Sequence, residues 1–159
     1  RVIGDVVQTL KDKLEYLEIR GEVYMENAAF DKVNERQEIL GKKLFANPRN
    51  CAAGTLRQLD PSITAERGLS MFVFNLQDVR GREFATHEEV YEFLKSNGIK
   101  VIEHYFVCRT ADEVWDAIEK IGAMRGELAY DIDGAVVKLN DLEDRRKCPD
   151  TAKNGQVSA

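Results

Sequence analysis

Residues 45–61 read FANPRNCAAGTLRQLDP, and this stretch constrains the fold more than any other part of the chain. Asn47 followed by Pro48 predicts a helix start, because an asparagine side chain can cap free backbone donors and proline is tolerated at the first helical position. The helix is expected to carry residues 49–59, with Asp60 and the proline after it closing it.

Small side chains fill the middle of this helix, at residues 51–54 (CAAG). Gly54 costs about 1 kcal/mol of helix propensity relative to alanine, so a ligand or another backbone is expected to approach closely there. Arg49 and Arg57 lie on one helical face, and two guanidinium groups near a helix N-terminus suit a phosphate. The alternative is a helix that packs through its small residues and leaves both arginines in solvent.

Strand patterns lie on either side of this segment. Apolar and polar residues alternate over residues 16–25, which predicts a half-buried strand. Its polar face carries Arg20 and Glu22, and Gly21 removes bulk from the opposite face. This face is either a ligand-facing edge or a solvated ion pair. The run LSMFVFNL at residues 69–76 predicts a second strand.

Three helices are predicted from capping signals. Asn27 is expected to cap a helix that runs to about Ile39, and the pairs Thr86/Glu89 and Thr110/Glu113 have the spacing of capping boxes. The later two helices are expected to bury one apolar face each: Val90, Phe93 and Leu94 in the first, and Val114, Ile118 and Ile121, around Trp115, in the second. His87, in a first turn, is expected to be exposed.

Further strands are predicted at residues 99–107 and 132–139, the latter within YDIDGAVVKLN (130–140). Either Asp131 or Asp133 offers a hard oxygen ligand for Mg²⁺, and Lys138 follows on the strand. Strict alternation places Asp133 and Lys138 on opposite faces, so joint action requires a bulge, most plausibly at Gly134. A plain turn is the alternative, since D-x-D-G is also a common turn sequence.

Composition limits the class of protein. The chain has 159 residues, 43% of them hydrophobic, which suits one domain with one core. A net charge of −5 argues against a surface that is basic throughout. Three cysteines without metal-type spacing favour a reducing, cytoplasmic setting, and no apolar run is long enough for a bilayer. We expect a soluble monomer.

Five segments, in this order, resemble the adenylation domain of bacterial NAD-dependent DNA ligases. They are LEIRGEVYM, the F-x-x-x-N-E-R of the next helix, FANPRNCAAGTLRQLDP, the L-x-x-F-x-F strand and YDIDGAVVKLN, and together the resemblance covers about residues 14–144. It implies an α+β, nucleotidyltransferase-like (ATP-grasp-type) domain with antiparallel sheets and peripheral helices. Such ligases adenylate a lysine from NAD, pass the AMP to the 5′-phosphate of a nick in double-stranded DNA, and seal the strand.

The resemblance also implies roles for particular residues. Glu22 is expected to contact the AMP ribose, Phe74 to stack on adenine, and Lys138 to contact the nucleotide. Two arginines are expected at the AMP or nick phosphate, and one carboxylate at Mg²⁺; these are Arg49, Arg57 and Asp133.

The family's nucleophilic lysine lies in a K-x-D-G motif, and none of the lysines in these 159 residues stands in that sequence. We therefore expect a partial adenylation domain, with the lysine segment upstream and other ligase domains downstream, that is inactive as it stands. The alternative hypothesis is a degenerate module that binds nucleotide or a partner protein without catalysis. An ATP-dependent ligase or a capping-type transferase fits less well, because residues 45–61 do not follow their pattern.

Overall fold

The structure is a computed structural model that describes residues 3–148. Strands and helices are interspersed along this part of the chain, which confirms the mixed α/β class. In chain order the elements are β1 (Tyr16–Tyr24), α1 (Asn27–Ile39), α2 (Pro48–Leu56), α3 (Pro61–Glu66), β2 (Ser70–Arg80), α4 (His87–Ser96), α5 (Ala111–Met124) and α6 (Leu142–Lys147).

The two strands form one antiparallel sheet, in which Tyr16 lies opposite Arg80 and Tyr24 opposite Ser70. The alternation predicted for β1 is confirmed, because Leu17, Ile19 and Val23 are partly buried and the polar residues between them are exposed. The predicted second strand is confirmed and extends four residues further, to Arg80.

Apolar side chains collect in two clusters. The larger is built around α4 and β2 and includes the fully buried Val90 and Leu94. The smaller joins α1, α2 and the start of β2, with Met25 and Cys51 at its centre. Burial raises the pKa of the Cys51 thiol. The sheet supplies partly buried side chains to both clusters, among them Leu17 and Ile19 to the larger and Val23 to the smaller.

The helix predicted at residues 49–59 is shorter than expected. Asn47 caps it as predicted, since its Oδ1 accepts from the Asn50 backbone N–H at 2.8 Å. The helix ends at Leu56, however, and Asp60 does not close it but caps a short additional helix, α3. In α1 the capping position belongs to Glu26 rather than Asn27, without a side-chain cap.

Both predicted capping boxes begin helices, with one difference in detail. Thr86 and Thr110 accept from the backbone N–H three residues on, but Glu89 and Glu113 accept from the residue before each threonine. α4 ends with Gly98 at a φ of 79°, and the Ile99 N–H donates to the Leu94 carbonyl, the arrangement of a Schellman cap.

Two predictions about burial on these helices were wrong. His87 is only 7% exposed, because the start of α4 lies against β2. The His87 imidazole forms a hydrogen bond there with the Phe74 carbonyl. Trp115 is 62% exposed, and Ala117 is the one buried residue of α5. Val114, Ile118 and Ile121 are partly buried rather than fully enclosed.

The two other predicted strands are absent from the described residues. Residues 99–107 make a single parallel bridge, between Val101 and Val73. That pairing stops beside an irregularity in β2, which disrupts a ladder locally. Residues 131–139 have no regular secondary structure, and Val136 is 76% exposed. Apolar alternation alone does not make a strand where no neighbouring edge supplies hydrogen bonds.

The helices of the described chain are short or carry many charged residues. Within residues 3–148, none combines the length and the apolar character needed to span a membrane.

Candidate functional site at the β2 bulge

A β-bulge in strand β2 organises the candidate site. Arg20 pairs with Asn75 and the next residue, Gly21, pairs with Val73, so Phe74 has no partner on β1. A bulged residue leaves the ladder, and its carbonyl is free to accept from other groups. Gly21 permits the close approach of the two strands, since an added Cβ there would lie 2.5 Å from the Phe72 carbonyl oxygen.

Three side chains meet at the Phe74 carbonyl oxygen. The Lys138 ammonium donates to it at 2.8 Å, the Tyr91 hydroxyl donates at 2.9 Å, and His87 Nε2 lies 3.2 Å away. Because a carbonyl oxygen only accepts, Nε2 carries the imidazole proton in this bond. The bulge therefore connects β2, α4 and the segment that precedes α6.

Lys138 is a partly buried cation beside an aromatic ring. Its ammonium lies 5.1 Å from the centroid of the Phe74 ring, a cation–π distance. No carboxylate among residues 3–148 forms an ion pair with Lys138. Burial, with a contribution from the nearby Arg145 guanidinium, lowers the pKa of Lys138 to about 8. A nearby anion would stabilise the charged form of this lysine, so the position suits an anionic ligand.

Arg145, on α6, connects the same groups from the other side. It donates to the Leu139 carbonyl, next to Lys138 in sequence, and its Nη1 lies 3.4 Å from Nδ1 of His87. Burial and the charges of Lys138 and Arg145 lower the pKa of His87 to about 4. Burial also raises the pKa of Tyr91 to about 12. At neutral pH the cluster therefore contains two cations and two neutral rings.

The segment that carries Lys138 is held at both ends. At its start, the Tyr130 ring packs on Tyr24 and Phe72, with centroids 5.1 and 6.2 Å away. At its end, the Asn140 carbonyl accepts from the backbone N–H of His87, and the Asn140 side-chain oxygen accepts from the backbone N–H of Glu88. These anchors position the residues between them without a sheet ladder.

Helix α2 presents its arginines differently from the prediction. Arg49 lies in the first turn, whereas Arg57 is the C-cap residue, so the two are about 12 Å apart along the helix axis and not both near its N-terminus. Both are exposed. The close approach predicted at Gly54 is made by the Phe45 ring, 3.3 Å from where a Cβ would lie, and Arg67 covers that ring.

Glu22 and Asp133 are both exposed. Glu22 projects from β1 opposite Phe72, two residues before the bulge, and Asp133 lies in the irregular segment that leads to Lys138. In the described part of the chain, neither carboxylate enters an ion pair. Among the predicted site residues, the structure brings Phe74 and Lys138 into direct contact and leaves Glu22, Asp133 and the α2 arginines exposed.

Sequence reasoning missed three members of this cluster: His87, Tyr91 and Arg145. His87 and Tyr91 are four residues apart on α4 and share a face. Their spacing therefore predicts that both contact the same neighbour, once α4 is known to pack against β2. Arg145 belongs to the charged run EDRRK, where nothing local distinguishes it from Arg146.

The buried histidine makes stability depend on pH. Because folding lowers the pKa of His87 from 6.5 to about 4, the unfolded chain binds a proton more readily between these values. We expect His87 to contribute about 3 kcal/mol of stability that is complete above pH 6.5 and is lost progressively as the pH falls through 4. Urea unfolding between pH 4 and 7 measures it.

His104 provides the matched control for that measurement. His87→Gln should flatten the pH dependence of the unfolding free energy, whereas His104→Gln should keep it. An unchanged slope in His87→Gln would show that other groups produce the acid sensitivity.

The fold and the site define a class of protein: a mixed α/β domain in which a partly buried lysine, without an ion-pair partner among residues 3–148, lies beside an aromatic ring on a bulged strand. The family model of the NAD-dependent DNA ligase adenylation domain matches residues 1–157. The chain belongs to this family, as the resemblance in its motifs predicted.

Curated relatives agree with the family assignment. The chain is 53% identical over 154 residues to a DNA ligase of Thermoanaerobacter sp. (strain X514), which covers 97% of the chain and 23% of that ligase. It is 50% identical over 153 residues to the DNA ligase of Acetivibrio thermocellus, a match that covers 96% of the chain and 23% of that ligase. It is also 50% identical over 151 residues to the DNA ligase of Clostridium kluyveri, a match that covers 95% of the chain and 23% of that ligase. The chain therefore spans about a quarter of the length of these relatives.

Proposed function

We propose that this chain is the nucleotide-binding part of a ligase that takes an adenylyl group from NAD and uses it to seal nicks in double-stranded DNA. The observation that carries the proposal is the Lys138 ammonium, which is partly buried, lies against the Phe74 ring and has no acidic partner among the described residues. A phosphate beside an adenine ring supplies the missing negative charge and a surface for stacking.

The proposed division of roles follows from the family resemblance. Phe74 stacks on the adenine, Lys138 contacts the phosphate next to it, and Glu22 accepts from the ribose hydroxyls. Arg49 and Arg57, at opposite ends of α2, are too far apart for one phosphate oxygen. We therefore assign them to neighbouring phosphates, of the nucleotide or of the nicked strand, where guanidinium groups bind well.

Magnesium fits the residues present. Mg²⁺ takes one or two protein carboxylates together with waters and substrate phosphates, and the exposed Asp133 is such a carboxylate. No group of three or more metal-ligating side chains occurs within residues 3–148, so most ligands would come from phosphate and water. When bound, Mg²⁺ neutralises negative charge that develops on the phosphate.

The nucleophile of the proposed reaction lies outside these 159 residues, which contain no K-x-D-G sequence. The lysine attacks the α-phosphate of NAD, a P–N bond forms, and nicotinamide mononucleotide leaves. AMP then moves to the 5′-phosphate at the nick, and the 3′-hydroxyl displaces it. We further propose that the intact enzyme is a cytoplasmic monomer of ATP-grasp-type fold that serves DNA repair and replication.

Labelled NAD tests this proposal. The longest natural polypeptide that carries this sequence should become labelled from adenylate-labelled NAD in the presence of Mg²⁺, and nicked DNA should discharge the label as the strand is sealed. The 159-residue chain alone should remain unlabelled on a denaturing gel. Failure of the long polypeptide to use NAD would overturn the proposal and would favour a module that binds without catalysis.

Arg57→Ala gives a residue-level prediction in the same assay. We expect nick sealing to fall about 10-fold or more, because a charge-assisted contact to phosphate is lost, while thermal stability stays within about 0.5 kcal/mol. Arg125→Ala, which removes an exposed arginine that caps α5, is the matched control and should seal normally. Near-normal sealing by Arg57→Ala would remove this role for the arginine.

A further inference from the structure

The contacts around the Phe74 carbonyl form a connected chain of hydrogen bonds. His87 donates from Nε2 to this carbonyl, so the neutral ring leaves Nδ1 without a proton and able to accept. The Nη1 group of Arg145 is placed to donate to that nitrogen, at 3.4 Å. The path therefore runs from Arg145 through His87 to the oxygen that also holds Lys138.

A second route from Arg145 reaches Lys138 through the backbone. Arg145 donates to the Leu139 carbonyl, so its planar guanidinium fixes the residue that follows Lys138. The segment around Lys138 lacks a sheet ladder, and such side-chain contacts replace it. Arg145 thus restricts both the backbone that carries the lysine and the carbonyl on which its ammonium rests.

Arg145 is free of competing acidic partners in the part of the chain that the structure describes. Among residues 3–148 it forms no ion pair, although Asp144 lies next to it and pairs with Lys147. A guanidinium that were only a surface group would be exposed, as its neighbour Arg146 is. Arg145 is instead partly buried and directed at two acceptors.

We propose that Arg145 and His87 are positioning residues, which hold the Lys138 ammonium at the Phe74 bulge so that it meets the nucleotide phosphate in a fixed orientation. This inference rests on the proposed function, because it assigns Lys138 to that phosphate. Neither residue touches the nucleotide. Their effect on the reaction passes through Lys138, since both hydrogen-bond routes end at that lysine or at its acceptor.

A double-mutant cycle tests this dependence in the longest natural polypeptide. Arg145→Met should lower the single-turnover rate of adenylyl transfer from labelled NAD about 10-fold or more at saturating NAD, because a misplaced group far from the reacting atoms can cost up to about 100-fold. Lys138→Met should lower it at least as much. The double variant should be no slower than Lys138→Met, since Arg145 then has no lysine to position.

Conservative and neighbouring variants complete the cycle. Arg145→Lys can still donate to the Leu139 carbonyl and should recover part of the rate, whereas Arg146→Met should behave as the unaltered protein. The proposal would be overturned if the rate losses of Arg145→Met and Lys138→Met multiply in the double variant, or if Arg145→Met reacts at the normal rate. Thermal unfolding of each variant identifies any loss that reflects unfolding.

A measurement without NAD separates this proposal from the proposed function. NMR titration of the Lys138 ε-methylene in the same polypeptide should show a higher lysine pKa in Arg145→Met, because the second cation is removed, and no change in Arg146→Met. If that coupling is present but the unaltered protein does not use NAD, the proposed function fails and the hydrogen-bond network stands. If the coupling is absent, the positioning role fails whatever the activity.

Discussion

Lys138→Met should slow adenylyl transfer from NAD by about 100-fold or more, because it removes a fixed positive charge from the phosphate it is proposed to contact. The same change should leave the fold as stable as before or slightly more stable. Lys138 is a partly buried cation, and burial lowers its pKa to about 8. Methionine keeps the apolar stem of the side chain without the charge. The Phe74 carbonyl retains its contacts with Tyr91 and His87.

Opposite responses of activity and stability make this prediction informative. Single-turnover transfer from labelled NAD measures the first, and thermal unfolding at pH 7 measures the second, both in the longest natural polypeptide. Lys95→Met is the matched control, since Lys95 is an exposed lysine of α4 that pairs with Glu92 and donates to Tyr105 rather than to the Phe74 carbonyl. A Lys138→Met protein with normal transfer would exclude the lysine from the site, and one that unfolds would make its role structural.

Gly21→Ala should lower the stability of the chain by about 2–3 kcal/mol, the largest loss expected from a change this small. The new methyl carbon would lie 2.5 Å from the Phe72 carbonyl oxygen, which is backbone and cannot rotate away. The two strands must separate or shift register, and the bulge at Phe74 is part of that register. We expect the midpoint of thermal unfolding to fall by about 5–10 °C.

Gly122→Ala is the control for that substitution. Gly122 lies in α5, where an added Cβ meets nothing within 4 Å, so alanine should raise stability by up to about 1 kcal/mol through helix propensity. Calorimetry of both variants gives the comparison. A Gly21→Ala chain as stable as the unaltered one would contradict the close strand pairing on which the bulge depends.

Local signals in the sequence predicted most of the elements. The alternation in residues 16–25 gave β1, and the Asn47 cap and two threonine caps placed the starts of three helices where the structure has them. These features depend on residues within one or two turns of each other. Predictions that needed a distant partner were less accurate. Residues 99–107 and 132–139 have strand-like patterns, but within residues 3–148 no neighbouring edge pairs with them along their length.

Burial was the other property that local patterns misjudged. His87 looked like an exposed first-turn residue and is buried, whereas Trp115 looked like a core residue and is 62% exposed. His87 is buried because its face of α4 meets β2, where Nε2 reaches the Phe74 carbonyl. The roles assigned to the predicted site residues remain predictions; these residues are Glu22, Arg49, Arg57, Phe74, Asp133 and Lys138.

The sequence by itself determined the family, through motifs whose order and spacing persist over about residues 14–144, and the elements that local hydrogen bonds and caps define. Only the tertiary structure decided that Phe74 leaves the ladder, and that Lys138, His87, Tyr91 and Arg145 gather at its carbonyl. The physical reason is that a bulge belongs to two strands at once. Its position follows from pairing Gly21 with Val73, a contact between residues that no local pattern joins.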